Sequence, residues 1–138
     1  MRKIGRLWLI FVIVGCLAAC GQSAQGAWQE QYDLGVRYLS EGNYEEAILS
    51  FTAAIEIDPR RPEAFVGRGD AYVGTAELAA AEPAGLSDTA RTAYENALAD
   101  YLTAVELDDQ LAEVYSKLSD VYLALGDPEA AQEILQQG

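Results

Sequence analysis

Two hydrophobic patterns divide this chain. Leu7 to Leu17 is an almost unbroken apolar run behind Arg2, Lys3 and Arg6, whereas from Trp28 onward apolar residues recur at helical spacing between polar ones. Leu34, Tyr38 and Leu39 share one side of a first helix, Gly42-Asn43 reads as a turn, and Tyr44 to Ile57 as a second helix. Asp58-Pro59 ends that helix, because proline lacks the N–H that would continue the ladder and restricts the residue before it. Pro62 then suits the first turn of the next helix, where a missing N–H costs little.

The same residue types return at fixed intervals. Gly35, Tyr38, Ala47, Phe51 and Ala54 are followed by Glu56-Ile57-Asp58-Pro59; 50 residues after their counterparts, Ala97, Tyr101 and Ala104 precede Glu106-Leu107-Asp108. Gly69 and Tyr72 stand 34 residues after Gly35 and Tyr38, so the longer interval is one 34-residue period with 16 residues inserted. Ser119, Tyr122, Ala131 and Leu135 form a third copy, with Ala131 and Leu135 again 34 residues beyond Ala97 and Tyr101. A period of this size means stacked units, each of which needs a neighbour to bury its apolar face.

This skeleton resembles the tetratricopeptide repeat, whose pattern carries a large residue, then Leu-Gly, Tyr, Ala, a large aromatic, Ala and a closing Pro. The first copy, residues 28–61, matches at Leu34-Gly35, Tyr38, Ala47, Phe51, Ala54 and Pro59, with Gln31 at a usually apolar place. The second, residues 62–111, has Phe65, Gly69, Tyr72, Ala97, Tyr101 and Ala104, but Arg68 replaces the leucine and Asp109 the proline. The third, residues 112–138, has Tyr115, Leu118, Tyr122, Ala131 and Leu135, with Ser119 in place of glycine. The resemblance implies an all-α fold, an α-solenoid of about three helix-turn-helix repeats and six helices. Gly35, Gly69 and Ser119 are small where paired helices cross, and Ala47, Ala97 and Ala131 are small opposite them. Tyr38, Phe51, Tyr72, Tyr101 and Tyr122 read as core filling between layers.

The 16 inserted residues fall between Tyr72 and Ala97, where the turn of the middle hairpin belongs. Glu77 to Ala81 favours helix, Pro83-Ala84-Gly85 breaks it, and Ser87-Asp88 offers N-cap side chains for a helix through Asp108. The middle hairpin is therefore expected to be about two turns longer per arm. The last helix, about Pro128 to Gln137, directs Ala130, Ala131, Ile134 and Leu135 inward and acts as its own cap.

The first segment reads as a signal. Leu7 to Ala19 is shorter than the roughly 20 residues that span a bilayer, and its charged start and small residues before Cys20 fit a secretory leader over residues 1–19. Leu17-Ala18-Ala19-Cys20 resembles the bacterial lipobox, which implies a diacylglyceryl group on the Cys20 sulfur and a lipid-anchored protein of the cell envelope. Ile13-Val14-Gly15-Cys16 fits less well, since it leaves a shorter apolar run. Residues 20–27 then read as the lipidated cysteine and a flexible tether, and residues 28–138 as the repeat domain.

Charge and residue types narrow the function. From Cys20 on, six basic residues stand against 22 acidic ones, a net charge of −16, which opposes nucleic acid and leaves membrane attachment to the lipid. The chain has no histidine, and its other cysteine, Cys16, leaves with the leader, so Ser-His, Cys-His and zinc constellations cannot be assembled. No calcium-loop spacing or glycine-rich phosphate cradle is present, and the sequence points to no enzyme, metal, cofactor or small-molecule substrate.

What remains is a surface. In the family it resembles, the first helices of successive pairs line a concave groove for partner peptides or helices. That implies groove positions at Tyr32, Val36 and Leu39, at Val66, Asp70 and Val73, and at Ser116, Asp120 and Leu123, with Glu63, Glu113 and Lys117 beside them. The groove is then apolar along its floor and acidic at its sides, and favours a protein segment carrying basic and apolar residues. Val66 and Val73 equally suit positions covered by adjacent helices. Two functions follow: a membrane-anchored extracytoplasmic adaptor that binds a partner in the groove, or a structural accessory subunit of an envelope or secretion assembly, held by its hairpin or last repeat.

Overall fold

In the computed structural model, residues 23–80 and 85–138 are described, and they form six helices and no strand. Helix α1 covers residues 23–40, α2 Tyr44–Ile57, α3 Pro62–Ala79, α4 Asp88–Leu107, α5 Ala112–Leu125 and α6 Pro128–Leu135. Each helix from α2 to α6 packs on the next, which is the solenoid expected from the repeated skeleton. The leader, the Cys20 lipidation site, Gly21 and the helix breaker Pro83-Ala84 lie outside the described residues.

One boundary moves. Residues 23–27, assigned above to a flexible tether, are helical and run straight into Trp28. Trp28 supplies the reason: it is 3% exposed, its ring stacks on Tyr32 at 4.8 Å, and the Arg61 guanidinium lies over it at 4.1 Å. A helix anchored that firmly carries the turn before it, although Ser23 and Gly26 disfavour helix.

The turns explain the long middle hairpin. Gly42 and Gly126, at the same place in the first and third copies, take positive φ of 75° and 86°, and the next amide closes each helix end by donating to Tyr38 O and Tyr122 O at 2.9 Å. The corresponding residue of the middle copy is Ala76, which continues the helix to Ala79. Helix α3 reaches 18 residues and α4 20, against 14 in α2 and in α5. Helix α3 gains little over one turn and α4 somewhat under two, against the expected two per arm, and the rest of the insertion forms the connection between them. Ser87 closes that connection as expected of an N-cap: its hydroxyl accepts from Ala90 N at 3.1 Å and donates to Ala79 O at 3.3 Å.

Aromatic rings take the space that glycines leave. A Cβ on Gly35 would stand 2.8 Å from the Phe51 ring, on Gly67 2.5 Å from that same ring, and on Gly69 2.5 Å from the Tyr101 ring. Phe51 and Tyr101 are accordingly buried, and so are Ala47, Ala97 and Ala131. Tyr38, Tyr72 and Tyr122, grouped with them above, are only half-buried. Leu135 departs further. It occupies the place of Phe51 and Tyr101 in the third copy, yet it is 53% exposed and not turned inward, because no described helix follows to be wedged against α5. The apolar contact of α6 comes instead from Ala131 and Ile134, with Ala130 half-buried.

Arg68, the departure from leucine, is a structural substitution with a partner. It donates from Nε and Nη2 to both oxygens of Asp100 at 2.8 and 2.7 Å, and from Nη1 to Thr52 Oγ1 at 3.0 Å, tying α3 to α4 and α2. Its counterparts in the third copy, by the same spacing, are Leu118 and Ile134, a buried apolar pair. The Asp100 hydrogen bonds raise the Arg68 pKa against the opposing effect of burial. Arg68→Leu strands the buried Asp100 carboxylate and is expected to cost about 3–5 kcal/mol, whereas Arg68→Leu with Asp100→Ile restores an apolar pair and recovers most of that loss. Urea unfolding of both variants measures the difference, and equal losses in the two would contradict the account.

Candidate functional site

Helices α1, α3 and α5 face one side of the array, and two cavities open between them. One, of about 320 Å³, is bounded by Tyr32, Val36 and Leu39 from α1, Glu63, Val66 and Asp70 from α3, and Glu113 and Lys117 from α5. The other, of about 420 Å³, takes Leu39, Asp70, Val73, Lys117 and Asp120. Ten of the twelve expected groove positions therefore line a cavity.

Ser116 and Leu123 line neither and are exposed, Leu123 by 54%. Their counterparts show why. Tyr32 packs toward Ala64 and Leu39 toward Ala71 of the next repeat, while Val66 and Val73 pack into the core that α5 shares. These positions form the seam between one repeat and its successor, and the third repeat has no successor among the described residues. Both readings of Val66 and Val73 thus hold together, since each borders a cavity and is half covered by its neighbours.

Asp70 and Lys117 border both cavities and separate them. Lys117 Nζ donates to Asp70 Oδ1 at 2.8 Å and stands 3.5 Å from Glu113 Oε1. The Tyr101 hydroxyl donates to the same Asp70 oxygen at 2.6 Å, so a core wedge of the solenoid fixes a carboxylate of the groove. Lys117 is the only basic side chain among the described residues lining either cavity; Glu63, Glu77, Glu113 and Asp120 line them too.

Burial and this acidic neighbourhood shift several groups the same way. Tyr101 is pushed well above the ordinary tyrosine range by burial and then by Asp70. Tyr32 rises through burial and the charges of Glu63, Asp33 and Asp70, and Tyr94 through burial and Glu77. Burial lowers Lys117, but the hydrogen bond and charge of Asp70, joined by Glu113, outweigh it and leave its pKa raised.

Sequence spacing did not reveal the part the long hairpin plays here. Glu77, in the added turn of α3, and Tyr94 of α4 form a wall of the larger cavity, together with Tyr44, whose ring lies against Gly74. The signal was available in Ala76, which cannot end α3 as Gly42 ends α1. No cluster of three or more metal-ligating side chains occurs among the described residues, and none of their helices is long and apolar enough to cross a membrane.

Comparison with known proteins agrees with this architecture. The family model described as TPR repeat matches residues 35–75 and 85–126, more than half of the chain. The chain belongs to the tetratricopeptide repeat family. Tetratricopeptide repeats mediate protein–protein interaction and form a non-catalytic scaffold family. The second TPR of Spaghetti (RPAP3), bound to the HSP90 peptide SRMEEVD, is similar with a TM-score of 0.66 at 21% identity, over 84% of this chain and 94% of that one. The first TPR of Spaghetti, bound to the same peptide, gives 0.66 at 23%, over 81% and 76%. TTC0263, a thermophilic TPR protein of Thermus thermophilus, gives 0.66 at 21%, over 96% and 69%. No curated protein matches the chain.

A raised folded-state pKa means that the unfolded chain releases its proton first, so stability is complete below the unfolded value and falls above it. With Tyr101 and Lys117 both raised, unfolding free energy is expected to fall as pH rises past about 10, by up to about 1.4 kcal/mol per pH unit for each group. Tyr101→Phe should flatten that fall. Urea unfolding between about pH 9 and 11 decides it, and parallel curves for wild type and variant would count against the Tyr101 assignment.

Proposed function

We propose that this chain is a lipid-anchored interaction scaffold on the outer side of a bacterial cell membrane or outer membrane, and that its groove holds a partner segment bearing basic and apolar side chains. The observation that carries the partner class is the state of Lys117. Among the described residues, the one cation lining the groove is held by Asp70 and Glu113, and the other charged groups there are carboxylates. The SRMEEVD peptide on the two Spaghetti domains carries three acidic side chains against one Arg, and a groove lined by carboxylates favours a peptide of the opposite balance. Apolar side chains of the segment have Val36, Leu39 and Val66 to rest against.

Glu63→Lys with Asp120→Lys places one reversal in each cavity at an exposed residue. It is expected to weaken binding of a Lys- and Val-bearing peptide by about tenfold or more and to leave the fold intact by circular dichroism. Unchanged affinity of a correctly folded variant would remove the groove from consideration.

The anchor rests on the leader pattern and Cys20, and the acidic domain gains nothing from anionic headgroups. In a bacterial host, Cys20→Ser is expected to abolish incorporation of labelled palmitate and to shift the protein from the membrane to the soluble fraction. Palmitate retained by the variant would refute attachment at Cys20.

A further inference from the structure

We propose that Lys117 is a resident substitute for the partner's cation: a Lys or Arg side chain of the bound segment takes over the Asp70 carboxylate, and Lys117 passes to Glu113. This rests on the groove reading above and adds how the groove selects its occupant.

The geometry makes Lys117 the movable member. Asp70 is held from behind by the Tyr101 hydroxyl at 2.6 Å, and Tyr101 is 1% exposed with its ring seated on Gly69. The carboxylate therefore has a fixed position. Lys117 has a flexible four-carbon stem and a second acid already within 3.5 Å, one helical turn away on its own helix. Side-chain exposures of 28% for Asp70 and 27% for Lys117 leave the pair open to an incoming group, and Glu113, at 83%, receives the ammonium at the rim.

The exchange conserves charge. Before it, Asp70 is paired and Glu113 is mostly solvated; after it, the partner's cation is on Asp70 and Lys117 on Glu113, with no partly buried carboxylate left without a counter-ion. An uncharged segment finds Asp70 already satisfied and gains no ion pair. An acidic segment can recruit Lys117 only by stripping Asp70, which Tyr101 holds in place. Lys117 thus keeps Asp70 paired while the groove is free, and it lowers affinity for a cationic occupant only by competing with it for that carboxylate.

The test uses the full-length protein and a labelled peptide, acetyl-Val-Leu-Lys-Val-Leu-amide, with its Gln and Glu versions. Lys117→Met keeps the apolar stem and removes the resident cation, so affinity for the Lys peptide is expected to rise roughly two- to tenfold. Glu113→Gln removes the receiving acid and is expected to weaken the Lys peptide in the wild-type background, but much less in the Lys117→Met background. Because Glu113 is exposed, its wild-type-background measurement stands even if Lys117→Met alters the fold, and no loss of Lys-peptide affinity there would overturn the exchange. Absence of Lys-peptide binding by the wild type would overturn the groove reading itself. Binding by the wild type that Lys117→Met weakens or leaves unchanged would overturn the exchange and leave the groove reading standing. Equal effects of Glu113→Gln in both backgrounds, or preference of the wild type for the Glu peptide, would also overturn the exchange.

Discussion

The approach of an aromatic ring to a bare helix backbone sets everything else in this solenoid. Phe51 lies against Gly35 and Gly67 together, and Tyr101 against Gly69, so each ring enters where no methyl group fits. The ring fills the volume, and the glycines let neighbouring helices close around it at core density. Ala47 and Ala97, both fully buried, complete the same contact from the second helix of each pair. Groove width depends on this spacing, because α1, α3 and α5 are separated by what is packed behind them. Leu135 stands at the same place with no described helix to wedge against, and its side chain is left exposed.

Within that frame the middle repeat is charged where the first copy has Leu34 and Ser50 and the third has Leu118 and Ile134. Arg68 and Asp100 replace the pair that the third copy builds from Leu118 and Ile134, and they fit because the guanidinium satisfies both carboxylate oxygens and reaches Thr52 as well. Buried ion pairs of this kind add little stability over a packed apolar pair, but they fix geometry. The same repeat carries Tyr101, whose ring is core and whose hydroxyl is bonded to Asp70 in the groove. A residue that wedges helices apart at one end therefore also positions a charged group at the other. Core and site share the middle repeat, and a change in the helix spacing there would be felt at Asp70.

Much of this was legible in the spacing of residue types. Glycine, alanine and aromatic positions at intervals of 34 and 50 gave the helix pairs, their order and the place of the insertion, because helix contact is set by side-chain size and size is visible in a sequence. Ten of the groove positions that the family resemblance implied came to border a cavity. Ser116 and Leu123 did not, since a periodic argument assigns every copy the same neighbours and the last described copy lacks one. The tether was misplaced at residues 23–27 because local propensity was weighed without the burial of Trp28. Arg68 was seen to break the pattern, but its partner Asp100 lies 32 residues away on another helix, and a pairing at that distance leaves no local signature.

Ala76 connects the insertion to the groove. Glycine at the corresponding positions of the other two repeats takes a left-handed conformation that costs other L-residues roughly 1 kcal/mol, and alanine there favours continuing the helix. The continued turn carries Glu77 along the groove beside Tyr94, which stands where Tyr44 does in the first copy, so a loss of glycine in a turn becomes a taller wall on the larger cavity. That wall is acidic through Glu77 and aromatic through Tyr94, and it stands on the same repeat as Asp70. The insertion therefore does more than elongate a hairpin at the edge of the array. It deepens the groove beside the ion pair that divides the two cavities.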